Sequence, residues 1–206
     1  FEIMAPVGSH DSLAAALKAG ADSVYFGVEQ LNMRSHSANN FKPEDLREVV
    51  RRCSERGVKT YLTLNIVLYP EDLPDAYAAL DAAKAAGVSA VIASDMAAIL
   101  YCWQIGLEVH ISTQLSISNA EALRFYAQYA DVVVLARELR LDQVRQIYDT
   151  IVRENITGPS GELVRIEMFA HGALCMAISG KCYLSLHAYG ASANRGECLQ
   201  VCRRGY

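Results

Sequence analysis

The sequence predicts an α/β fold, a TIM-type (β/α)8 barrel that is incomplete, with about seven βα units. Short apolar runs alternate with amphipathic stretches at roughly 25–30 residues per unit, which is typical of parallel strands joined by helices. Glycines follow several of the helical stretches, at Gly20, Gly57, Gly87 and Gly106, where helices commonly end. No G-x-G-x-x-G sequence follows the first strand, which disfavours a dinucleotide-binding doubly wound sheet.

Each βα unit is predicted from its own apolar pattern. The apolar runs predict strands at Glu2–Ala5, Ser23–Phe26, Thr60–Asn65, Ala90–Ala93, Glu108–Ser112, Val132–Leu135 and Arg165–Phe169. The amphipathic stretches predict helices at His10–Ala19, Pro43–Arg56, Leu73–Ala86, Met96–Ile105, Ala120–Tyr129 and Leu141–Arg153. Residues 1–170 are expected to form the barrel. The eighth βα unit is missing or replaced by a Cys-rich segment, residues 171–206, which is expected to pack on the same domain.

Composition narrows the class of protein. The 206 residues are 52% hydrophobic and 20% charged with a net charge of −4, so no global charge predicts nucleic-acid binding. No apolar stretch reaches 18 residues, so no membrane span is predicted. The chain starts without Met and without signal-peptide features, and it ends abruptly at Tyr206. We therefore expect it to be an excised part of a longer protein with a downstream domain.

The six cysteines predict a reducing compartment, the cytoplasm, because no secretory signal accompanies them. Cys53 and Cys102 lie in helical patterns and are expected to be small apolar core residues. The other four crowd into the last 32 residues with the spacing C-x6-C-x15-C-x3-C. Clustered thiols in such a compartment are typical metal ligands, although two disulfides or buried unpaired thiols stay open as alternatives.

The clustered cysteines are Cys175, Cys182, Cys198 and Cys202, and they are the candidate metal ligands. Four thiolates satisfy either tetrahedral zinc or a 4Fe–4S cluster. Only the last two have the close spacing of a zinc knuckle. The first two are seven residues apart, which is two turns if they lie on a helix, so both could face the same way. The spacing favours an iron–sulfur cluster, with zinc as the alternative.

Polar residues follow the predicted strands, at the end of a barrel where functional residues gather. The proposed catalytic candidates among them are Asn65, Gln114, Arg137, Glu138 and His171. The pattern predicts a polar ligand, although turns favour polar residues in any case. Further members of this set are Ser9, His10, Asn32, Arg34, Ser94, Asp95, Ser112, Thr113, Glu167 and Gly172.

Two kinds of charged or titratable side chain flank the cysteines. His171 is a candidate ligand, base or substrate donor, or alternatively a structural histidine at a strand end. Arg195 and Arg203, with Arg204, are candidates for cofactor binding, since guanidinium groups stabilise an anionic cluster or hold a carboxylate or phosphate. The alternative for the arginines is an exposed basic loop.

The Cys-rich segment resembles the signature of peptidase family U32, the collagenase-type peptidases. The resemblance lies in His171-Gly-Ala-Leu-Cys175, in Ser179-Gly-Lys-Cys182-Tyr-Leu-Ser185 and in Asn194-Arg-Gly-Glu-Cys198. The N-terminal half is similar as well, so the resemblance covers essentially the whole chain. Its matching positions are Ala5-Pro-Val-Gly8, Gly20-Ala-Asp-Ser-Val-Tyr-Phe-Gly27, Asn65, Ser94-Asp95, Gln114, Arg137-Glu138 and Cys202-Arg.

The resemblance implies two kinds of enzyme. The family name implies a peptidase, in which a clustered thiol would be the nucleophile and His171 the base. That leaves three cysteines unexplained, and the chain has neither G-x-S-x-G nor H-E-x-x-H. Other members imply an oxygen-independent hydroxylase that uses a 4Fe–4S cluster, held by the four cysteines, and prephenate as oxygen donor. Those members modify a tRNA uridine or an rRNA cytidine, and another branch serves ubiquinone synthesis.

We interpret the sequence as an iron–sulfur-dependent hydroxylase whose substrate is RNA or a small polar molecule. This reading explains the thiols, the polar residues after the strands and the basic residues together. The alternatives are a peptidase and a non-catalytic binding module with a structural metal. No membrane partner is expected.

Overall fold

The structure, a computed structural model, describes residues 1–28, 31–32, 40–172 and 175–203. The described residues contain one sheet of seven strands. The strands are β1 (Met4–Pro6), β2 (Ser23–Gly27), β3 (Lys59–Leu64), β4 (Ala90–Ala93), β5 (Val109–Ile111), β6 (Val132–Val134) and β7 (Arg165–Glu167). Each observed strand overlaps its predicted run, and the bounds differ by a few residues at the ends.

Every strand pairs in parallel with the next one along the chain, in the order β1 to β7. The sheet curls into a half-barrel, a partial barrel of the TIM type, which confirms the predicted fold class. Because all strands run the same way, their carboxyl ends lie along one edge of the half-barrel, which we call the carboxyl edge. Functional groups of barrel proteins gather at that edge.

Helices connect the strands and cover the outer face of the sheet. They are α1 (His10–Ala19), α2 (Leu46–Ser54), α3 (Leu73–Ala86), α4 (Met96–Ile105), α5 (Ala120–Tyr126), α6 (Leu141–Arg153) and α7 (Leu184–Tyr189). The predicted helix from Pro43 begins with a 3-10 turn at Pro43–Asp45 ahead of α2. Side-chain caps fix several starts: Ser9 accepts from the Ser12 amide at 3.2 Å, and Asn119 accepts from the Ala122 amide at 2.8 Å.

The two faces of the sheet differ in chemistry. Side chains such as Phe26 and Leu64 point outward and join the buried core beneath the helices. Cys53 and Cys102 belong to that core, as predicted, and burial raises the pKa of their thiols to about 11 and about 12. The inner face carries a small apolar cluster around Tyr61 beside polar groups. No described helix is long and apolar enough to cross a membrane.

The Cys-rich segment follows β7 and has little regular structure. Residues 175–183 form turns and irregular backbone, so the two-turn helix that would align Cys175 with Cys182 does not form. The short helix α7 comes only after both cysteines, and 3-10 turns at Ala193–Arg195 and Val201–Arg203 follow it. No helical periodicity relates the four thiols. Their relative positions therefore depend on the path of the turns and coil.

Candidate functional site

Polar side chains from neighbouring strands meet at the carboxyl edge. Asn65 follows β3 and donates from Nδ2 to the Ser112 hydroxyl, 3.4 Å away after β5. Asp95 follows β4, caps α4 through the Ala97 amide at 2.9 Å, and also accepts from the Leu68 amide at 3.1 Å. The prediction that polar residues gather at this edge therefore holds for these positions, and part of their polarity is used to cap a helix and to fix a loop.

Gln114 lies in a 3-10 turn directly after β5, against the Cys-rich segment. Its side-chain oxygen is buried and has no hydrogen-bond partner among the described residues. Gly180 lies against its backbone, so close that a Cβ on Gly180 would sit well under 3.0 Å from the Gln114 carbonyl oxygen. The buried acceptor is available to a donor that enters the edge, such as an N–H group.

Arg137 anchors the first half of the Cys-rich segment. Its Nε donates to the Ser179 hydroxyl at 2.9 Å, and a terminal nitrogen donates to the Ala177 carbonyl at 3.0 Å. The Ser116 hydroxyl donates to the Ser179 carbonyl at 3.0 Å. These bonds join the loops after β5 and β6 to residues that lie 40, 42 and 63 positions further along the chain. Arg137 therefore holds the segment on the carboxyl edge.

Cys175 is the thiol that these contacts influence. Partial burial opposes its ionisation, but a hydrogen bond from the Ala177 amide and the Arg137 guanidinium outweigh burial and lower the pKa of the Cys175 thiol. The positive charge of Arg203 acts in the same direction. The side chain is exposed, so Cys175 combines thiolate character with access, the two conditions for a reactive cysteine.

Arg195 anchors the second half of the segment. It forms a two-pronged ion pair with Asp72, with N–O distances of 2.6 and 3.3 Å, and it stacks 3.8 Å above the centre of the Tyr69 ring. It also donates to the Val67 carbonyl at 3.2 Å, while the Val67 amide donates to the Asn194 carbonyl at 2.9 Å. The guanidinium is thus engaged with the loop after β3. In this arrangement Arg195 acts as an anchor, and its predicted part in cofactor binding stays a prediction.

The four clustered cysteines are free thiols, Cys175 exposed and the other three partly exposed. Their chemistry fits a soft or borderline metal. Across the described residues, no group of three or more His, Cys, Asp or Glu side chains is placed to hold a metal ion. The predicted ligand set therefore stays a prediction.

Other predicted site residues do not take part in the contacts described above. Within residues 40–172 and 175–203, the exposed side chains of Glu138 and His171 form no hydrogen bond or ion pair with a described residue. Arg203 is exposed near Cys175. Arg34 and Arg204 lie outside the described residues. Sequence reasoning gave no role to Asp72 or to Ser179, whose partners are distant in the chain.

Comparison with known proteins places these features in a family. A family model described as Peptidase family U32 matches residues 8–206. The chain belongs to this family. A collagenase of Porphyromonas gingivalis (strain ATCC BAA-308 / W83) is 68% identical over 206 residues, which are 100% of this chain and 50% of that protein. The tRNA hydroxylation protein P1 of Bacillus subtilis is 36% identical over 208 residues, covering 100% of this chain and 46% of that protein.

The solved structure of the U32 peptidase Mk0906 has the same fold. It superposes with a TM-score of 0.61 at 16% identity and covers 72% of this chain and 64% of its own. U32 relatives are thus named proteases or RNA hydroxylation proteins, and the more similar ones are named proteases. The names favour the peptidase alternative over the hydroxylase interpretation. The chain spans about half the length of the curated relatives it matches.

Proposed function

We propose that the chain carries a thiol-dependent peptidase site at the carboxyl edge of the half-barrel, with Cys175 as the nucleophile. The observation that carries the proposal is the exposed Cys175 thiol beside the guanidinium of Arg137, on the edge where barrel enzymes act. A lowered pKa increases the fraction of Cys175 that is thiolate at a given pH, and thiolate is the nucleophilic form. The family name and the collagenase relative support the same reaction class.

The chemistry is that of an acyl transfer. The Cys175 thiolate attacks the carbonyl carbon of a peptide, and the C–N bond breaks as His171, in its protonated form, gives a proton to the leaving amine. Water, deprotonated by the neutral imidazole, then cleaves the thioester to release the carboxylate and the thiol. His171 is assigned this part because it is exposed and precedes Cys175 by four residues. The buried oxygen of Gln114 would accept a hydrogen bond from a peptide N–H.

A second candidate function is an iron–sulfur-dependent hydroxylase of RNA. The observation that favours it is the number of free thiols, because a peptidase needs one and the segment has four. Cys175, Cys182, Cys198 and Cys202 would hold a 4Fe–4S cluster, or zinc as the alternative, and a bound cluster would supply one-electron chemistry. The relative from Bacillus subtilis, named for tRNA hydroxylation, supports this class of substrate.

The second candidate needs parts beyond these 206 residues. A net charge of −4 does not favour RNA binding, since phosphate contacts dominate such affinity. The extra length of the relatives is the proposed source of those contacts, in a downstream domain of the same chain. Prephenate is the proposed oxygen donor, and exposed Arg203 is the proposed group for one of its carboxylates. Free thiols favour the reducing cytoplasm for either function.

One experiment separates the two functions. Each clustered cysteine is changed to Ala in turn, and every variant is assayed for cleavage of gelatin and a peptide library and for iron and sulfide after anaerobic purification. A peptidase loses cleavage only in Cys175→Ala, and Cys182→Ala is the matched control. A cluster enzyme loses iron in all four variants and cleaves nothing. Wild-type protein that neither cleaves peptides nor contains iron and sulfide contradicts both proposals.

A further inference from the structure

A buried histidine lies on the inner face of the half-barrel, away from the cysteines. His110 is on β5, its side chain is only 3% exposed, and its ring packs against the Tyr61 ring with 4.5 Å between centres. Neither ring nitrogen has a hydrogen-bond partner among the described residues. Buried polar atoms are rarely left this way, so the environment of His110 calls for an explanation.

Two carboxylates face the two nitrogens of this ring. Nε2 lies 3.4 Å from Glu108 Oε1 on the amino side of β5, and Nδ1 lies 3.8 Å from Glu167 Oε2 at the end of β7. These are ion-pair separations, longer than hydrogen bonds. A neutral imidazole carries one N–H and would turn a lone pair toward one carboxylate, whereas an imidazolium presents an N–H to both. The geometry therefore suits the protonated ring.

The other positive groups near the ring have carboxylate partners of their own. Glu108 is also paired with Arg165 at 3.2 Å. Lys59 and the Tyr61 hydroxyl are both engaged with Glu2, at 2.9 and 2.6 Å. Across the described residues, His110 is the one cationic partner of Glu167.

We infer that His110 is a protonation-dependent clamp that ties β7 across the inner face to β5. The strand β7 has three residues and pairs with β6, so a side-chain tie to β5 adds a second attachment. The Cys-rich segment begins at residue 171, four positions after Glu167 at the end of β7. Protonation of His110 thus stabilises the attachment of β7, the strand that precedes that segment. The inference does not depend on which of the two proposed functions is correct.

The expected pH dependence follows from the contacts. Burial opposes protonation of His110, but the facing carboxylates of Glu108 and Glu167 outweigh it and raise the pKa. A group whose pKa is higher in the folded state stabilises that state fully below its unfolded pKa of about 6.5. The stabilisation is lost as the pH rises through the folded value. Each unit by which the folded pKa exceeds the unfolded pKa changes the folding equilibrium constant about tenfold between those two pH values.

The test measures the ring and the strand separately in the full chain. The imidazole Cε1–H signals of 13C-labelled protein, assigned with His110→Gln, are titrated by NMR. The His110 signal is expected to titrate above pH 6.5, and amide exchange of residues 165–167, corrected for intrinsic rates, is expected to quicken over the same range. His187→Gln, at an exposed position of α7, is the matched control and leaves both unchanged.

Two results would overturn the inference. One is a His110 signal whose titration midpoint lies at or below pH 6.5. The other is protection of residues 165–167 that does not change with pH while His110 titrates. If His110→Gln does not fold, Glu167→Gln assigns the signal instead and is expected to lower the titration midpoint of His110, since it removes one facing carboxylate; an unchanged midpoint would also contradict the clamp.

Discussion

The substitution Gly180→Ala adds one methyl group and is expected to separate the Cys-rich segment from the carboxyl edge. Its backbone has φ of +72°, and the Cβ of an alanine would lie well under 3.0 Å from the Gln114 carbonyl oxygen. Gln114 cannot move far, because its turn is fixed by the Ser112 hydroxyl, which accepts from the Gln114 amide at 3.3 Å. In Gly180→Ala the segment has to give way.

Two free-energy costs decide how far the segment is displaced: the cost of keeping it in place with the methyl group, and the cost of detaching it. The left-handed backbone costs a non-glycine residue about 1–2 kcal/mol. The overlap with Gln114 adds about 1–3 kcal/mol, the usual range for overpacking. Lifting the segment relieves the overlap but breaks the bonds from Arg137 to Ser179 and Ala177 and from Ser116 to Ser179, at about 1 kcal/mol each. The two costs are similar, so a substantial fraction of the variant is expected to be detached.

Detachment has a chemical signature at Cys175. It removes the Arg137 guanidinium from the thiol, so the pKa of Cys175 rises toward the ordinary value of about 8.5. The assay is the pH profile of Cys175 alkylation by iodoacetamide, quantified by mass spectrometry of its peptide. Gly180→Ala is expected to shift the profile to higher pH and to react more slowly at pH 7.

Gly190→Ala is the matched control. Gly190 lies in the same segment with φ of +68°, and nothing lies within 4 Å of its Cβ position. It therefore carries the backbone cost without the overlap, and urea unfolding should show a loss of about 1 kcal/mol with an unchanged alkylation profile. Equal alkylation profiles for the two variants would refute the reasoning, because the contact with Gln114 would then have no effect on the segment.

Three further changes test individual contacts. Arg137→Met is expected to raise the pKa of Cys175, seen as the same shift of the alkylation profile, because it removes the nearby positive charge. Arg195→Met combined with Asp72→Asn in a double-mutant cycle should give a coupling of about 1 kcal/mol by urea unfolding. The pKa of Asp72 is lowered chiefly by Arg195, so this coupling is present above pH ~3.9 and is lost as the pH falls through the folded value. Gly27→Ala should destabilise the fold by about 1–3 kcal/mol, since its Cβ would overlap the side chain of Asn32.

Each of these has its own control. For Arg137→Met the control is Arg140→Met, which removes an exposed guanidinium paired with Asp142 and should leave the pH profile of Cys175 alkylation unchanged. The same exposed pair, tested in a parallel cycle, should show weaker coupling than the pair at Asp72, and equal values would contradict the anchoring role of Arg195. A fully stable Gly27→Ala would mean that Asn32 and its bond to Asn40, 3.0 Å long, can move aside without loss.

The helices and strands were largely predictable because the signals for them are local. The helices His10–Ala19 and Leu141–Arg153 have the predicted bounds, since apolar spacing and end residues determine a helix within its own length. The spacing relates Cys175 to Cys182 by two turns only if a helix joins them, and residues 175–183 form turns and irregular backbone instead. Seven residues of separation say nothing about helix formation when turns intervene.

The roles of the charged side chains could not be predicted in the same way. Arg195 pairs with a carboxylate 123 positions earlier, and Arg137 binds Ser179, 42 positions later. No residue near either arginine identifies those partners, because the register of the sheet and the paths of the loops bring them together. His110 gave a weak signal, a histidine inside an apolar strand, but the two carboxylates that face it are defined only by the fold.

The sequence by itself determined the class of fold, the family and the set of thiols, since these depend on periodicity and on the identity of residues. Only the tertiary structure decided which arginine influences a thiol and which one anchors the segment. Both carry the same charge, but Arg137 lies 38 positions before Cys175, whereas Arg195 lies three positions before Cys198. Their difference lies in what the curled sheet places beside them: the Cys175 thiol and the Ser179 hydroxyl for Arg137, and the Asp72 carboxylate for Arg195.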